Sequence, residues 1–135
     1  MDKKRILIID DEEDLNFFVK ANLELAGNYE VIIATSGSEG INIASSQEID
    51  LILLDIMMPK MDGFEVLEEI KKFRGTLTIP VVMLTAKGDI GSKIKAAGLY
   101  GEDYIVKPVK IEILKAKIDQ VLKRTGPSAE EQEPL

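Results

Sequence analysis

The sequence predicts an α/β fold, a parallel sheet covered by helices on both faces, and three observations predict it. Short apolar runs recur five times, at 6–9, 31–34, 51–54, 81–84 and 104–106. Runs such as Leu51-Ile52-Leu53-Leu54 are unbroken rather than alternating, which marks strands buried on both faces. The segments between them carry apolar residues at helical spacing, so strand and helix alternate, and the right-handed crossover rule leaves few ways to connect them.

Taken in order, Ile6 to Ile9 form the first strand, and Asp14 is positioned to cap a helix with Leu15, Val19 and Leu23 on one face and Gly27 at its end. After the second strand, Val31 to Ala34, Ser36 and Glu39 have capping-box spacing ahead of Ile41 and Ala44. The third strand, Leu51 to Leu54, is followed by a turn containing Pro59 and by a second box, Asp62 with Glu65, ahead of Phe64, Leu67 and Ile70. The fourth strand precedes a helical segment carrying Ile90, Ile94 and Ala97. The fifth precedes one carrying Leu114, Ile118, Val121 and Leu122.

With 135 residues, 45% of them apolar, the chain suits one domain, expected over residues 1–124. The polar stretch 125–135 reads as a disordered tail, a linker or an expression remnant. A net charge of -7 argues against nucleic-acid binding through a broad basic surface. Residues 87–124 nonetheless carry nine basic and five acidic side chains in a chain otherwise acidic. The absence of cysteine and histidine excludes disulfides, thiolate chemistry, Ser-His-Asp catalysis, histidine metal sites and phosphohistidine formed on this chain. The N-terminus has only four aliphatic residues before Asp10, too few for a signal peptide or membrane span, so a cytoplasmic soluble domain is expected.

In an open parallel sheet, ligands bind beyond the carboxyl ends of the strands. Four of the five strands end in ionisable or hydroxyl groups: Asp10 and Asp11, Asp55, Thr85 with Lys87 close behind, and Lys107 before Pro108. Each has a simpler reading when taken alone. Asp55 opens a turn, Thr85 ends a strand, Lys107 lies on the surface, and Asp10 to Asp14 cap a helix. Together they read differently. Carboxylates converging at one point repel one another unless a cation sits among them, and hard oxygen ligands suit Mg²⁺. A central aspartate with a hydroxyl and an ammonium nearby is what attack of a carboxylate on phosphorus requires. Glu12, Glu13 and Asp14 are read as solvated helix-end acids.

The segments ILIIDDEED, LILLDIMMPKMDG, VVMLTAK and DYIVKP, in this order at strand ends, resemble bacterial response-regulator receiver domains over about residues 3 to 124. The resemblance implies a flavodoxin-like, doubly wound (βα)5 three-layer sandwich with strand order 2-1-3-4-5. It implies that Asp55 is the phosphoacceptor, that Asp11 and Asp55 hold Mg²⁺ directly with the Met57 carbonyl, and that Asp10 acts mainly through water. It further implies that Thr85 and Lys107 bind the phosphoryl group, that Lys107-Pro108 is cis, and that Tyr104 turns inward on activation. The donor is then a partner histidine kinase or histidine phosphotransfer protein. Met57 and Lys87 flank the path of hydrolytic water in the family. Neither orients water as a carboxamide or an acid does, so slow self-hydrolysis is expected. Val109, where many relatives have phenylalanine, and Gly101-Glu102-Asp103 depart from the pattern without removing a reactive group.

An enzymatic alternative is a phosphatase of the haloacid-dehalogenase type, which also uses an aspartate nucleophile with Mg²⁺. Such enzymes place a second acid two residues after the nucleophile, where this chain has Met57, which cannot donate a proton. A third alternative is a binding domain that has kept the fold without the chemistry. The lysines of residues 87–124, including Lys87, Lys93, Lys95, Lys110, Lys115 and Lys117, are either an ordinary solvated surface or an output face for a partner, an effector domain or a second copy.

Overall fold

The computed structural model describes residues 2–86 and 103–125. Five strands, β1 (Lys4–Ile9), β2 (Tyr29–Ala34), β3 (Leu51–Asp55), β4 (Val81–Thr85) and β5 (Asp103–Val106), form one sheet in the order β2-β1-β3-β4-β5. Every pairing is parallel. Helices α1 (Glu13–Leu25), α2 (Gly37–Ser46), α3 (Gly63–Lys72) and α4 (Ile111–Thr125) flank it. The fold is the expected flavodoxin-like one. The segment of Ile90, Ile94 and Ala97, the tail beyond 125, Lys87, Lys93 and Lys95 lie outside the described residues.

The unbroken aliphatic runs follow from strand geometry, since successive side chains point to opposite faces of the sheet. Leu7, Ile9, Ile52, Leu54, Val81 and Met83 pack with Ala44, Val66, Leu67 and Ile70 of α2 and α3. Ile6, Ile8, Leu51, Leu53, Val82 and Leu84 pack with Val19 and Leu23 of α1 and Leu114, Ile118 and Val121 of α4. Each fully buried aliphatic side chain contributes roughly 1.5–3 kcal/mol, so two such layers clamp the strands from both sides. The sheet is therefore a rigid platform, and what its carboxyl edge carries is held in place.

Two helix starts differ from expectation. The first helix begins at Glu13 with Glu12 as its cap residue, and no side chain caps it. Asp14 lies inside the helix. Its buried face is Asn16, Val19 and Leu23, with Leu15 only partly covered. At α2, Ser36 accepts the Glu39 amide as expected, but the Glu39 carboxylate turns to the Thr35 amide at 2.8 Å, so the box is half formed. The box of Asp62 and Glu65 is complete. Gly27, at φ +94°, takes the left-handed turn that ends α1. No helix among the described residues is long and apolar enough to cross a membrane.

Candidate functional site

The charged groups expected at the strand ends meet at the carboxyl edge of the sheet. Asp10 follows β1 and is fully buried; Asp55 is the last residue of β3 and 4% exposed; Asp11 beside them is exposed. Their carboxylate oxygens lie within 4.8 Å of one another. Across from them, on the loop after β5, Lys107 Nζ stands 3.1 Å from Asp10 Oδ2 and 3.3 Å from Asp55 Oδ1. Thr85 ends β4, buried, with its hydroxyl 3.5 Å from the Ala86 carbonyl, and its own carbonyl accepts the Lys107 amide at 2.7 Å.

Local backbone contacts explain why these side chains stay put. The Ile56 amide donates to Leu84 O at 3.1 Å, which carries the β3–β4 pairing past the end of the strand. The chain then turns through Pro59 and returns at Gly63, whose amide donates to Ile56 O at 2.8 Å. A Cβ at Gly63 would lie 2.4 Å from the Asp55 carbonyl oxygen, so only glycine allows α3 to start this close to the acid. On the β1 side, the Asn16 side-chain Nδ2 donates to Asp10 O at 2.8 Å and the Glu12 backbone amide to Asp10 Oδ1 at 2.9 Å. Lys107-Pro108 is cis, as the resemblance implied.

Electrostatically the site is overloaded with negative charge. Burial raises the Asp55 pKa to about 6, with the neighbouring Asp10 charge adding to it and Lys107 and the Met57 amide partly offsetting it. Asp10 is raised for the same first reason, burial, against the Glu12 amide and Lys107. Burial alone would lower the Lys107 pKa, but its bond to Glu12 and the charges of Asp10 and Asp55 outweigh that and raise it. Asp10 Oδ2 is buried without a directed hydrogen bond, so its attraction to Lys107 is Coulombic. Three oxygen ligands within reach of one another, two of them held in costly proximity, fit a small hard divalent cation such as Mg²⁺.

Two residues of this cluster were not legible beforehand. Glu12, expected to be a solvated acid, places Oε1 2.7 Å from Lys107 Nζ. Asn16 is a polar residue on the apolar stripe of α1 and was the available signal, since a buried amide needs a partner. Of the remaining expectations, Met57 is exposed beside the acid loop and its amide donates to Asp55 Oδ1 at 3.4 Å. Tyr104 lies on β5, 42% exposed. It borders a cavity of about 490 Å³ that Val106, Lys110, Ile113 and Lys117 also line.

A carboxylate-rich mouth at the carboxyl edge of a doubly wound sheet defines a class of acid-centred α/β domains. The chain belongs to the response regulator receiver domain family, whose model matches residues 6–119. It is 43% identical over 121 residues to the DNA-binding dual master transcriptional regulator RpaA of Synechocystis, covering 90% of this chain and 50% of that protein. It is 38% identical over 130 residues to the alkaline phosphatase synthesis transcriptional regulatory protein PhoP of Bacillus subtilis, covering 94% and 53%. The chain thus spans about half the length of these relatives. Among solved structures it resembles a response regulator receiver domain protein from Clostridium thermocellum, with a TM-score of 0.82, 36% identity and coverage of 90% and 95%. It also resembles the chemotaxis protein CheY4 of Vibrio cholerae, with a TM-score of 0.82, 28% identity and coverage of 88% and 98%.

Proposed function

We propose that the domain is a phosphorylation-activated switch of two-component signalling, with Asp55 as its phosphoacceptor. The observation that carries this reading is the meeting of Asp10, Asp11 and Asp55 with Lys107 at one sheet edge. A histidine kinase or phosphotransfer protein presents a phosphohistidine. An Asp55 carboxylate oxygen attacks phosphorus in line, the P–N bond breaks, and the imidazole nitrogen leaves with the bonding pair and takes up a proton from water. Asp55 needs no general base, because even with its pKa raised to about 6 it is mostly ionised at neutral pH. Thr85 and Lys107 donate to the transferred phosphoryl oxygens.

Asp10, Asp11, Asp55 and the Met57 carbonyl are the residues that would hold Mg²⁺. The ion, when bound, screens the acids from one another and neutralises phosphoryl charge. Thr85, drawn toward the phosphoryl group, vacates space that Tyr104 turns into, and the surface carrying Tyr104, Lys110, Lys115 and Lys117 changes shape. One charge-assisted hydrogen bond and one ion pair supply on the order of 2–4 kcal/mol, enough to shift a two-state equilibrium substantially. Two relatives bear names of transcriptional regulators and this chain spans about half their length, which supports control of an output carried by another segment or partner. Residues 1–124 are read as the switch, acting in the cytoplasm, with 125–135 read from the sequence as a disordered tail, a linker or an expression remnant.

The test is incubation with Mg²⁺ and acetyl phosphate followed by peptide mass spectrometry. One labile phosphoryl group on Asp55, blocked by EDTA and lost in Asp55→Ala, is expected. Stable labelling of serine or threonine would overturn the reading. Repeated, Asp55-dependent turnover of a phosphate monoester would favour the phosphatase alternative, against which Met57 stands.

A further inference from the structure

An ammonium group has three N–H donors, and among the described residues three carboxylates lie around Lys107. Its Nζ lies 2.7 Å from Glu12 Oε1, 3.1 Å from Asp10 Oδ2 and 3.3 Å from Asp55 Oδ1. Nζ donates to Glu12 and is held at Asp10 by charge without a directed hydrogen bond, so a phosphoryl oxygen that draws the ammonium competes with these contacts and the most weakly held partner gives way. The three differ sharply in their freedom to do so. Asp10 is fully buried, its Oδ1 accepts the Glu12 amide at 2.9 Å and its carbonyl accepts Asn16 Nδ2 at 2.8 Å, so it cannot withdraw. Asp55 is 4% exposed and is itself the group that carries the phosphoryl. Glu12 has a side chain 60% exposed, on the cap residue of α1, and a rotation about its side-chain bonds takes its carboxylate into water.

We propose that Glu12 is a positioning residue that occupies one Lys107 donor in the resting state and exchanges that donor for the arriving phosphoryl group. This deepens the phosphoacceptor reading and rests on it. Glu12 makes the shortest of the three contacts and is the only partner with somewhere to go. In the resting protein it holds the lysine stem across the mouth of the site and keeps the ammonium in place before any phosphoryl group is present. On phosphorylation the dianionic phosphoryl group offers Lys107 more charge than one carboxylate, and Glu12 swings out. Glu12 therefore opposes phosphorylation by a modest and adjustable amount. A partly exposed pair of this kind is weak enough to be displaced.

Length and charge of the side chain separate this exchange from simple repulsion at the mouth of the site. Glu12→Asp keeps the charge but is one methylene shorter, which lengthens the 2.7 Å contact to Nζ, whereas Glu12→Gln keeps the length and loses the charge. The experiment measures the rate and acetyl phosphate concentration dependence of Asp55 phosphorylation in the parent, Glu12→Asp, Glu12→Gln and Glu12→Ala. Beside it, the lysine side-chain Cε and Nζ resonance of Lys107 is recorded without Mg²⁺ or phosphate. The exchange predicts that Glu12→Asp and Glu12→Ala both speed phosphorylation about two- to fivefold and both move the resting Lys107 resonance. It predicts a smaller change in each for Glu12→Gln. A Glu12→Asp rate equal to the parent, with Glu12→Gln and Glu12→Ala equally fast, would overturn it in favour of through-space repulsion. Parent-like rates and Lys107 resonances in all three variants would overturn it too. If Lys107 responds as predicted but no variant, nor the parent, is labelled on Asp55, the phosphoacceptor reading falls and the exchange falls with it.

Discussion

The two edges of the sheet both carry charged clusters, but they are built on opposite terms. At the amino edge, around the start of β1, Lys3, Lys4 and Arg5 face Asp2, Glu30, Glu48 and Asp50, three basic against four acidic side chains. There the Arg5 guanidinium donates to Gln47 Oε1 at 2.7 Å and lies 3.5 Å from Glu30, while its backbone amide donates to Asp50 Oδ2 at 2.7 Å. At the carboxyl edge Lys107 is the one basic side chain among the described residues beside Asp10, Asp11, Glu12 and Asp55, and two of those acids are buried. Near-balanced charges open to water tie strands and loops together. Excess like charge out of water costs stability, because each buried carboxylate raises the energy of the other's ionised form.

The largest consequence concerns pH. The Asp55 pKa is raised from 3.8 to about 6, so the folded state binds that proton more tightly than the unfolded chain does. The stability it contributes is present below about pH 4 and is lost as pH rises to about 6. Without metal above that range, ionised Asp55 therefore costs up to about 3 kcal/mol. Asp55→Asn in EDTA is expected to melt higher than the parent at pH 7.5, with the gap closing toward pH 4. Thermal melts across that range check it, and a gap independent of pH would break the contrast between the edges.

Lys107→Ala removes the cation on which the buried acids depend. In EDTA at neutral pH it is expected to cost about 2–3 kcal/mol of stability, and Mg²⁺ is expected to restore part of that, which denaturant titrations with and without the ion would show. Full stability of the variant in EDTA would mean that the acids do not need the lysine.

A smaller effect is expected at Met57, exposed beside Asp55. Met57→Asn supplies a carboxamide to orient attacking water, so the phosphoryl group on Asp55 should decay several-fold faster than in the parent, by a change of about 1 kcal/mol in barrier. Equal or slower decay would show that this position does not set the lifetime. The smallest effect is predicted at the amino edge. Arg5→Ala is expected to cost about 1 kcal/mol or less, because its pairs are partly exposed, and to leave Asp55 labelling at the parent rate.

The platform was legible because a strand buried on both faces leaves its signature in consecutive residues. Leu51 to Leu54 and Val81 to Leu84 could be placed as strands without any partner in view, and Asp55 and Thr85 end those strands. The capping box of Asp62 and Glu65 is local too, and it formed as expected. Part of what escaped is governed by distance along the chain. Glu12 and Lys107 are 95 residues apart, so no local pattern could have told a solvated acid from a lysine's nearest partner. The expected cap at Asp14 was displaced by nearby contacts that depend on Asp10 being buried, which the local pattern of acids does not show. Asp10 takes the Glu12 amide and Asn16 takes the Asp10 carbonyl, so the buried acid shapes the start of α1 and Asp14 is left inside the helix.

The contrast between the edges is tested most directly by titrating Mg²⁺ into the protein while following its backbone amide resonances, in the parent and in Asp55→Asn. Saturable shifts centred on residues 10–12, 55–57 and 107 are expected, with affinity at least tenfold weaker in the variant and no saturable change at Arg5, Glu30 or Asp50. Saturation at both edges alike, or binding at the carboxyl edge that Asp55→Asn leaves unchanged, would contradict it.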